Sequence, residues 1–229
     1  MEQVVNATIS ILFDGVAYGM LLFIISVGLS ITMGLMGFAN LAHGAFAMVG
    51  GYVLVSLITG FGVPFLIALV LASVFVAVIS IPVERYLYRR LYEAEELDHV
   101  LLSIGLVFMA TAAITFIYGP STVSLTVPDY LNGQVDLGFG QFPAYRTFTI
   151  AVGAFLILGL WYGFEGTIIG AKIRASVDNR RMAQSVGIDV DRLFVISFAL
   201  GSGLAALGGG LAIEIIGMEP TFALTYLVF

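Results

Sequence analysis

The side chains with the most chemical potential in this 229-residue chain are few. Asn40 and His43 lie three apart in "GLMGFANLAHGAFAMVGGY" (34–52), among glycines at 34, 37, 44, 50 and 51. On a helix, residues at that spacing share a face. Three uses fit such a pair: hydrogen bonding between helices, lining of a polar pathway, or a metal or proton site. The third is disfavoured, because His99 is the other histidine and no carboxylate lies near in sequence. The residues alone leave packing and pathway both open. No G-x-x-x-x-G-K-[ST], H-E-x-x-H or G-x-S-x-G occurs, and the single lysine, Lys172, follows Ala171. The chain therefore carries no P-loop of its own, and no catalytic residue, metal or cofactor is assigned. Cysteine is absent, which excludes disulfides and cysteine-ligated metals. No basic-aromatic pattern points to nucleic acid.

The elements that position these residues follow from composition. Hydrophobic residues make up 60% and charged residues 10%, against about 25% charged in a soluble domain. Between Asp14 and Glu84 lie 69 residues without a formal charge. As one helix they would reach roughly 100 Å, several times the ~30 Å hydrocarbon core. The run must cross a membrane more than once. The expected fold is all-α: a polytopic transmembrane helical bundle in a lipid bilayer, with spans near 9–33, 41–58, 63–83, 100–118, 147–164 and 193–216. A further hydrophobic stretch opens at "LTYLVF", so a C-terminally incomplete single domain over 1–229 is expected. Long apolar runs rather than alternation argue against a β-barrel. The N-terminus lacks a basic n-region, so the first segment is expected to be retained.

Charge sets the orientation. Arg85, Arg89 and Arg90 fall in 84–99, and Lys172, Arg174, Arg180, Arg181 and Arg192 in 165–192. The positive-inside rule places both loops in the cytoplasm and 119–146 outside. The N-terminus is then outside if 41–58 crosses fully, and inside if it is re-entrant. Asn132-Gly133 is a turn signal, and a small surface hairpin is expected around it.

The loop 165–192 reads as ordered. "KIRASVDNRRMAQSV" predicts one short amphipathic helix with Ile173, Val177 and Met182 on one face. Gly187 fits a helix-ending position of positive φ, and Asp189 or Asp191 fits the cap of the next helix. Such a segment is either an interfacial anchor or a docking element. In "FALGSGLAALGGGLAIEIIG", the glycines at 201, 203, 208, 209 and 210 predict close helix packing rather than a bend. Glu214 is expected near the outer interface.

With these residues in view, the chain resembles the permease subunits of branched-chain amino-acid ABC transporters. Gly28, Leu29, Gly34, Asn40, Ala42, His43, Gly44, Gly50, Gly51 and Tyr52 match that family's G-L-x-x-x-x-G, N-x-A-H-G and G-[AG]-Y signature. Arg174, Ala175, Asn179, Met182, Ala183, Gly187, Ile188 and Asp189 match its cytoplasmic loop. The resemblance implies a multi-pass subunit of the cell (plasma or inner) membrane that is not an enzyme. Its partners would be a second permease subunit, cytoplasmic ATP-binding subunits and an extracytoplasmic solute-binding protein. It implies that 165–192 is the ATPase-coupling loop, with Arg174, Asn179, Arg180, Arg181, Met182, Ala183, Gly187, Ile188 and Asp189 as its candidate residues. Asn40, His43, Gly44, Gly50 and Gly51 would shape the translocation pathway or its helix packing. The substrate expected is a branched-chain amino acid; alternatives are urea or short-chain amides, or a non-transporting scaffold or truncated remnant.

Overall fold

The computed structural model describes residues 2–38, 40–92, 94–125, 127–136, 138 and 140–225, with side chains from Thr8 onward. Six of its helices are long and apolar enough to span a membrane. They are α1 (Glu2–Met36), α2 (His43–Phe61), α3 (Phe65–Tyr86, prolonged by a 3-10 turn over Tyr88–Leu91), α4 (Glu96–Tyr118), α5 (Ala144–Gly166) and α8 (Val190–Ile216). Two short helices, α6 (Ile168–Asp178) and α7 (Arg180–Ser185), connect α5 to α8. The expected spans are all present.

The organising element is α8. Its apolar span is 67% buried, against 11% for α5, and it packs on α1, α2 and α3 together. The reason is side-chain size. In a bilayer, helices gain little from hiding apolar surface from lipid, so close backbone approach through small residues selects the centre. The bulky residues lie outside: Leu66, Ile67, Val70 and Val74 of α3, Phe108 and Phe116 of α4, and Phe155 and Trp161 of α5 are exposed. α8 runs unbroken through its glycines, so packing rather than a bend explains them. Glu214 is exposed just before the end of α8.

The connections fix the two faces. Arg146, in the first turn of α5, pairs with Asp14 of α1. At the other end Arg89 meets Asp191 at 2.6 Å, bringing both basic loops together. α2 has 19 residues, about 28 Å of helix, close to the ~30 Å hydrocarbon thickness.

The segment 119–146 does hold a hairpin, β1 (Gln134–Asp136) against β2 (Gln141–Pro143), antiparallel with Val135 opposite Phe142. Its turn is not at Asn132-Gly133, as expected. Those residues close an earlier turn, in which the Asn132 amide donates to the Pro128 carbonyl at 3.1 Å. The chain reverses after Asp136, where the Asp136 carboxylate accepts from the Gly138 amide and Gly138 takes φ +84°. A β-bridge from Val123 to Met218 ties this segment to the chain two residues past the end of α8. The stretch read at "LTYLVF" begins in the short helix α9 (Phe222–Thr225); residues 226–229 lie outside the described residues.

Candidate functional site

α1 ends at Met36, and Gly37 adopts φ +78°, which favours glycine. The chain then turns back into the bundle. His43 Nε2 lies 2.8 Å from the Ile25 carbonyl, well back along α1 from Met36. A carbonyl only accepts, so Nε2 is the donor in this bond. Asn40 is not helical, which corrects the expected shared face: α2 starts at His43, and Asn40 belongs to the link before it. The Asn40 side-chain oxygen accepts from the Tyr88 hydroxyl at 2.6 Å and from the Ala42 amide at 3.0 Å. Phe38 stacks on Tyr88 and on His99. Asn40 and His43 are both buried. Asn40 Nδ2, His43 Nδ1 and His99 Nε2 are buried without a hydrogen-bond partner among the described residues.

This arrangement does interhelical bonding. It pins the link to α1 through Ile25 and to the end of α3 through Tyr88. No group of three His, Asp or Glu side chains that could hold a metal occurs among the described residues. An apolar cavity of about 260 Å³ lies beside the link, lined by Ala42, Phe46, Val83 and Leu106 among others, and a larger open groove of about 830 Å³ separates α1 from α5 and α6. Neither Asn40 nor His43 lines either one.

The signature glycines pack. A β-carbon on Gly50 would overlap Ala206, one on Gly51 would meet the Met218 methyl at 2.6 Å, and one on Gly44 would press on the Ala223 carbonyl at 3.0 Å. From the facing side, Gly209 lies directly against the Ala47 carbonyl. Gly28 and Gly201 form a matching contact between α1 and α8.

Between α5 and α8 the expected single helix is two. The backbone of Asn179 is extended, at φ −152° and ψ 97°, and breaks it into α6 and α7. The break is built from the side chain: Asn179 Oδ1 accepts from the Met182 amide at 3.0 Å and caps α7. Thr167 caps α6 in the same way through Gly170. The buried face differs from the expected one on both sides of the break. Ile173, Ser176 and Ala183 are buried, whereas Val177 and Met182, expected beside Ile173, are exposed. Ile173 and Ala183 pack with Leu35, Val190, Leu193 and Phe194, and Ile188 flanks them. Gly187 has the expected positive φ, +86°. Asp189 is the cap of α8, accepting from the Arg192 amide at 3.0 Å, which frees Asp191 for ion pairs. Arg174 turns back to the Phe164 carbonyl at the end of α5. Arg181, Met182, Gln184 and Val186 remain exposed.

Arg180 lies over two aromatic rings, with its side chain still 40% exposed. Its guanidinium carbon sits 4.9 Å from the Phe194 ring centre and 5.6 Å from that of Tyr92, and its Nη2 donates to Asp191 at 3.4 Å. The Tyr92 hydroxyl donates to Glu84, a carboxylate 1% exposed near the end of α3. Burial, reinforced by that hydrogen bond and the nearby Glu84 charge, pushes the Tyr92 phenol well above its ordinary range, so it stays a donor. Glu84, Arg89, Tyr92, Asp191 and Phe194 were not among the expected site residues. The one local signal was two tyrosines, 88 and 92, four apart and flanking Arg89 and Arg90.

Comparison with known proteins decides the family. Residues 11–229 match the family profile described as branched-chain amino acid transport system / permease component. The chain belongs to this permease family. The permease is 29% identical over 204 residues to the probable branched-chain amino acid transport permease protein LivH of Methanocaldococcus jannaschii, covering 88% of this chain and 65% of that one. It is 29% identical over 224 residues to the high-affinity branched-chain amino acid transport system permease protein LivH of Escherichia coli K12, covering 90% and 71%. BraD of Pseudomonas aeruginosa, named as the corresponding high-affinity permease protein, is 25% identical over 222 residues, covering 91% and 70%. The permease thus spans about two thirds of the length of these relatives. No solved structure matches it. With six helices able to span a bilayer, it is a multi-pass inner-membrane protein.

Proposed function

We propose that this chain is the membrane subunit of an importer for branched-chain amino acids, powered by ATP hydrolysis on a separate subunit. The observation that carries the reading is the α6–α7 segment. Both helices are side-chain capped, their apolar face is seated on α1 and α8, and Arg181, Met182, Gln184 and Val186 are left outward. A segment that only joined α5 to α8 would need neither the capped break nor the seating. An outward strip with apolar Met182 and Val186 suits a partner's groove.

In this reading the segment lies in the cytoplasm, as the arginine-rich face does under the positive-inside rule. ATP-binding subunits dock on it, and their closure pushes it together with the membrane helices on which it is seated. A second permease subunit completes the pathway, and a solute-binding protein delivers substrate at the 119–146 side. The substrate class follows the names of the relatives, LivH and BraD.

The test is co-purification with the ATP-binding subunits, combined with uptake of radiolabelled leucine into proteoliposomes. Replacing 176–190 by a flexible linker should abolish both. Undiminished ATPase binding removes the coupling assignment, and leucine uptake that survives deletion of the chain removes the transport role for that substrate.

A further inference from the structure

The cluster around Arg180 is built from four places in the chain. Arg180 opens α7, Asp191 and Phe194 belong to the first turns of α8, Arg89 and Tyr92 lie in and just after the 3-10 turn, and Glu84 lies near the end of α3. Tyr92 and Phe194 meet edge to face at 5.0 Å between ring centres, and the guanidinium lies within cation–π range of both rings. Asp191 is shared: one oxygen faces Arg180 at 3.4 Å and the other Arg89 at 2.6 Å. Tyr92 in turn is held by the buried Glu84. A planar guanidinium can meet two rings and a carboxylate at once, and an ammonium cannot reproduce that. Arg181, its neighbour, is exposed and pairs with no acid among the described residues.

We propose that Arg180 is a positioning residue whose guanidinium latches the α6–α7 segment to the inner ends of α3 and α8, so that α7 and α8 move as one body. This rests on α6–α7 being the coupling segment. Its consequence is that a push on the segment reaches α8, the helix against which α1, α2 and α3 all pack. Without the latch, α7 keeps its apolar seat and the short link into α8, where the Ile188 amide donates to the Ala183 carbonyl at 3.0 Å. A partner could still bind and hydrolyse ATP while its motion was lost in the loop.

The experiment uses the complete transporter in proteoliposomes. Arg180→Ala, Arg180→Lys and Asp191→Asn are compared with Arg90→Lys, a control at an exposed position. The readout is leucine imported per ATP hydrolysed, alongside co-purification of the ATP-binding subunit. Arg180→Ala and Asp191→Asn should retain the subunit and ATP hydrolysis while import per ATP falls at least threefold. Arg180→Lys should fall between them and wild type. A ratio equal to wild type in Arg180→Ala or Asp191→Asn overturns the latch, as does loss of subunit binding, which would make Arg180 a docking residue.

A second measurement does not depend on transport. The chain has no cysteine, so spin labels at Gln184→Cys and Leu200→Cys report one distance between α7 and α8. Wild type should give one narrow distribution, unchanged by ATP, and Arg180→Ala a broad one. A wild-type distance that shifts with ATP, or a narrow distribution in Arg180→Ala, overturns the proposal. If the 176–190 linker variant still binds the ATPase, the coupling reading fails on its own, and the distance measurement still judges the latch.

Discussion

The Tyr88 hydroxyl donates to the Asn40 side-chain oxygen at 2.6 Å, across 48 residues of sequence and with both side chains buried. This bond fastens the link between α1 and α2 to the end of α3. Tyr88→Phe removes the donor, leaving Asn40 Oδ1 with the Ala42 amide alone. The expected cost is about 0.5–1.5 kcal/mol, the net worth of one hydrogen bond, because Oδ1 still has a donor. Thermal unfolding in detergent should therefore show a lower midpoint for Tyr88→Phe, and an unchanged midpoint would show that the bond contributes nothing.

Gly209 and Gly19 give opposite expectations for the same kind of change. A β-carbon on Gly209 collides with the Ala47 carbonyl, whereas one on Gly19 meets nothing within 4 Å. Gly209→Ala should cost at least the ~1–3 kcal/mol typical of overpacking, because backbone rather than a flexible side chain must yield. Gly19→Ala should leave the folded yield by fluorescence-detected size exclusion unchanged. Equal yields for both variants would contradict the packing of α2 on α8.

Asn179 makes the break between α6 and α7 through its cap. Asn179→Ala should destabilise α7 by about 1 kcal/mol, while Asn179→Asp keeps an acceptor at the same place. Hydrogen exchange over 180–185 is the direct measure. It should speed up in the alanine variant and not in the aspartate variant.

Neighbouring residues Met182 and Ala183 separate docking from folding. Met182 is 65% exposed and Ala183 3%. Met182→Glu should leave the melting midpoint within about 0.5 kcal/mol of wild type, as surface changes do, yet abolish co-purification of the ATP-binding subunit. Ala183→Glu places an unpaired charge in the seat formed with Val190 and Phe194, and should lower stability itself. A Met182→Glu chain that still holds its ATPase would move the docking surface elsewhere.

Much of this molecule was legible in order of residues. The gap between Asp14 and Glu84 forced several crossings, because a charge-free run of that length exceeds one bilayer. Six spans and the positive φ at Gly187 followed from local rules, as did an aspartate cap for α8, for which the structure chose Asp189 over Asp191. The helix break at Asn179 was misread, because Asn inside an apolar-periodic run is tolerated in a helix and only the cap geometry made it a stop. Beyond that break Ala183 rather than Met182 takes the buried side, and within α6 itself it is Ser176 rather than Val177 that joins Ile173.

What the sequence by itself determined is the membrane-spanning class, the number of spans, the two basic loops on one face and the family. Each depends on composition or on spacing within a few residues, where chain connectivity fixes the neighbours. Tertiary structure alone decided that Asn40 and His43 serve as fasteners reaching Tyr88 and Ile25, and that Arg180 faces Tyr92, Phe194 and Asp191. Arg89 and Asp191 are 102 residues apart in sequence and 2.6 Å apart in space. No local periodicity encodes such a pair. It exists because small residues on α8, such as Gly203 against Ala77, let α3 approach closely enough for the ends of the two helices to meet.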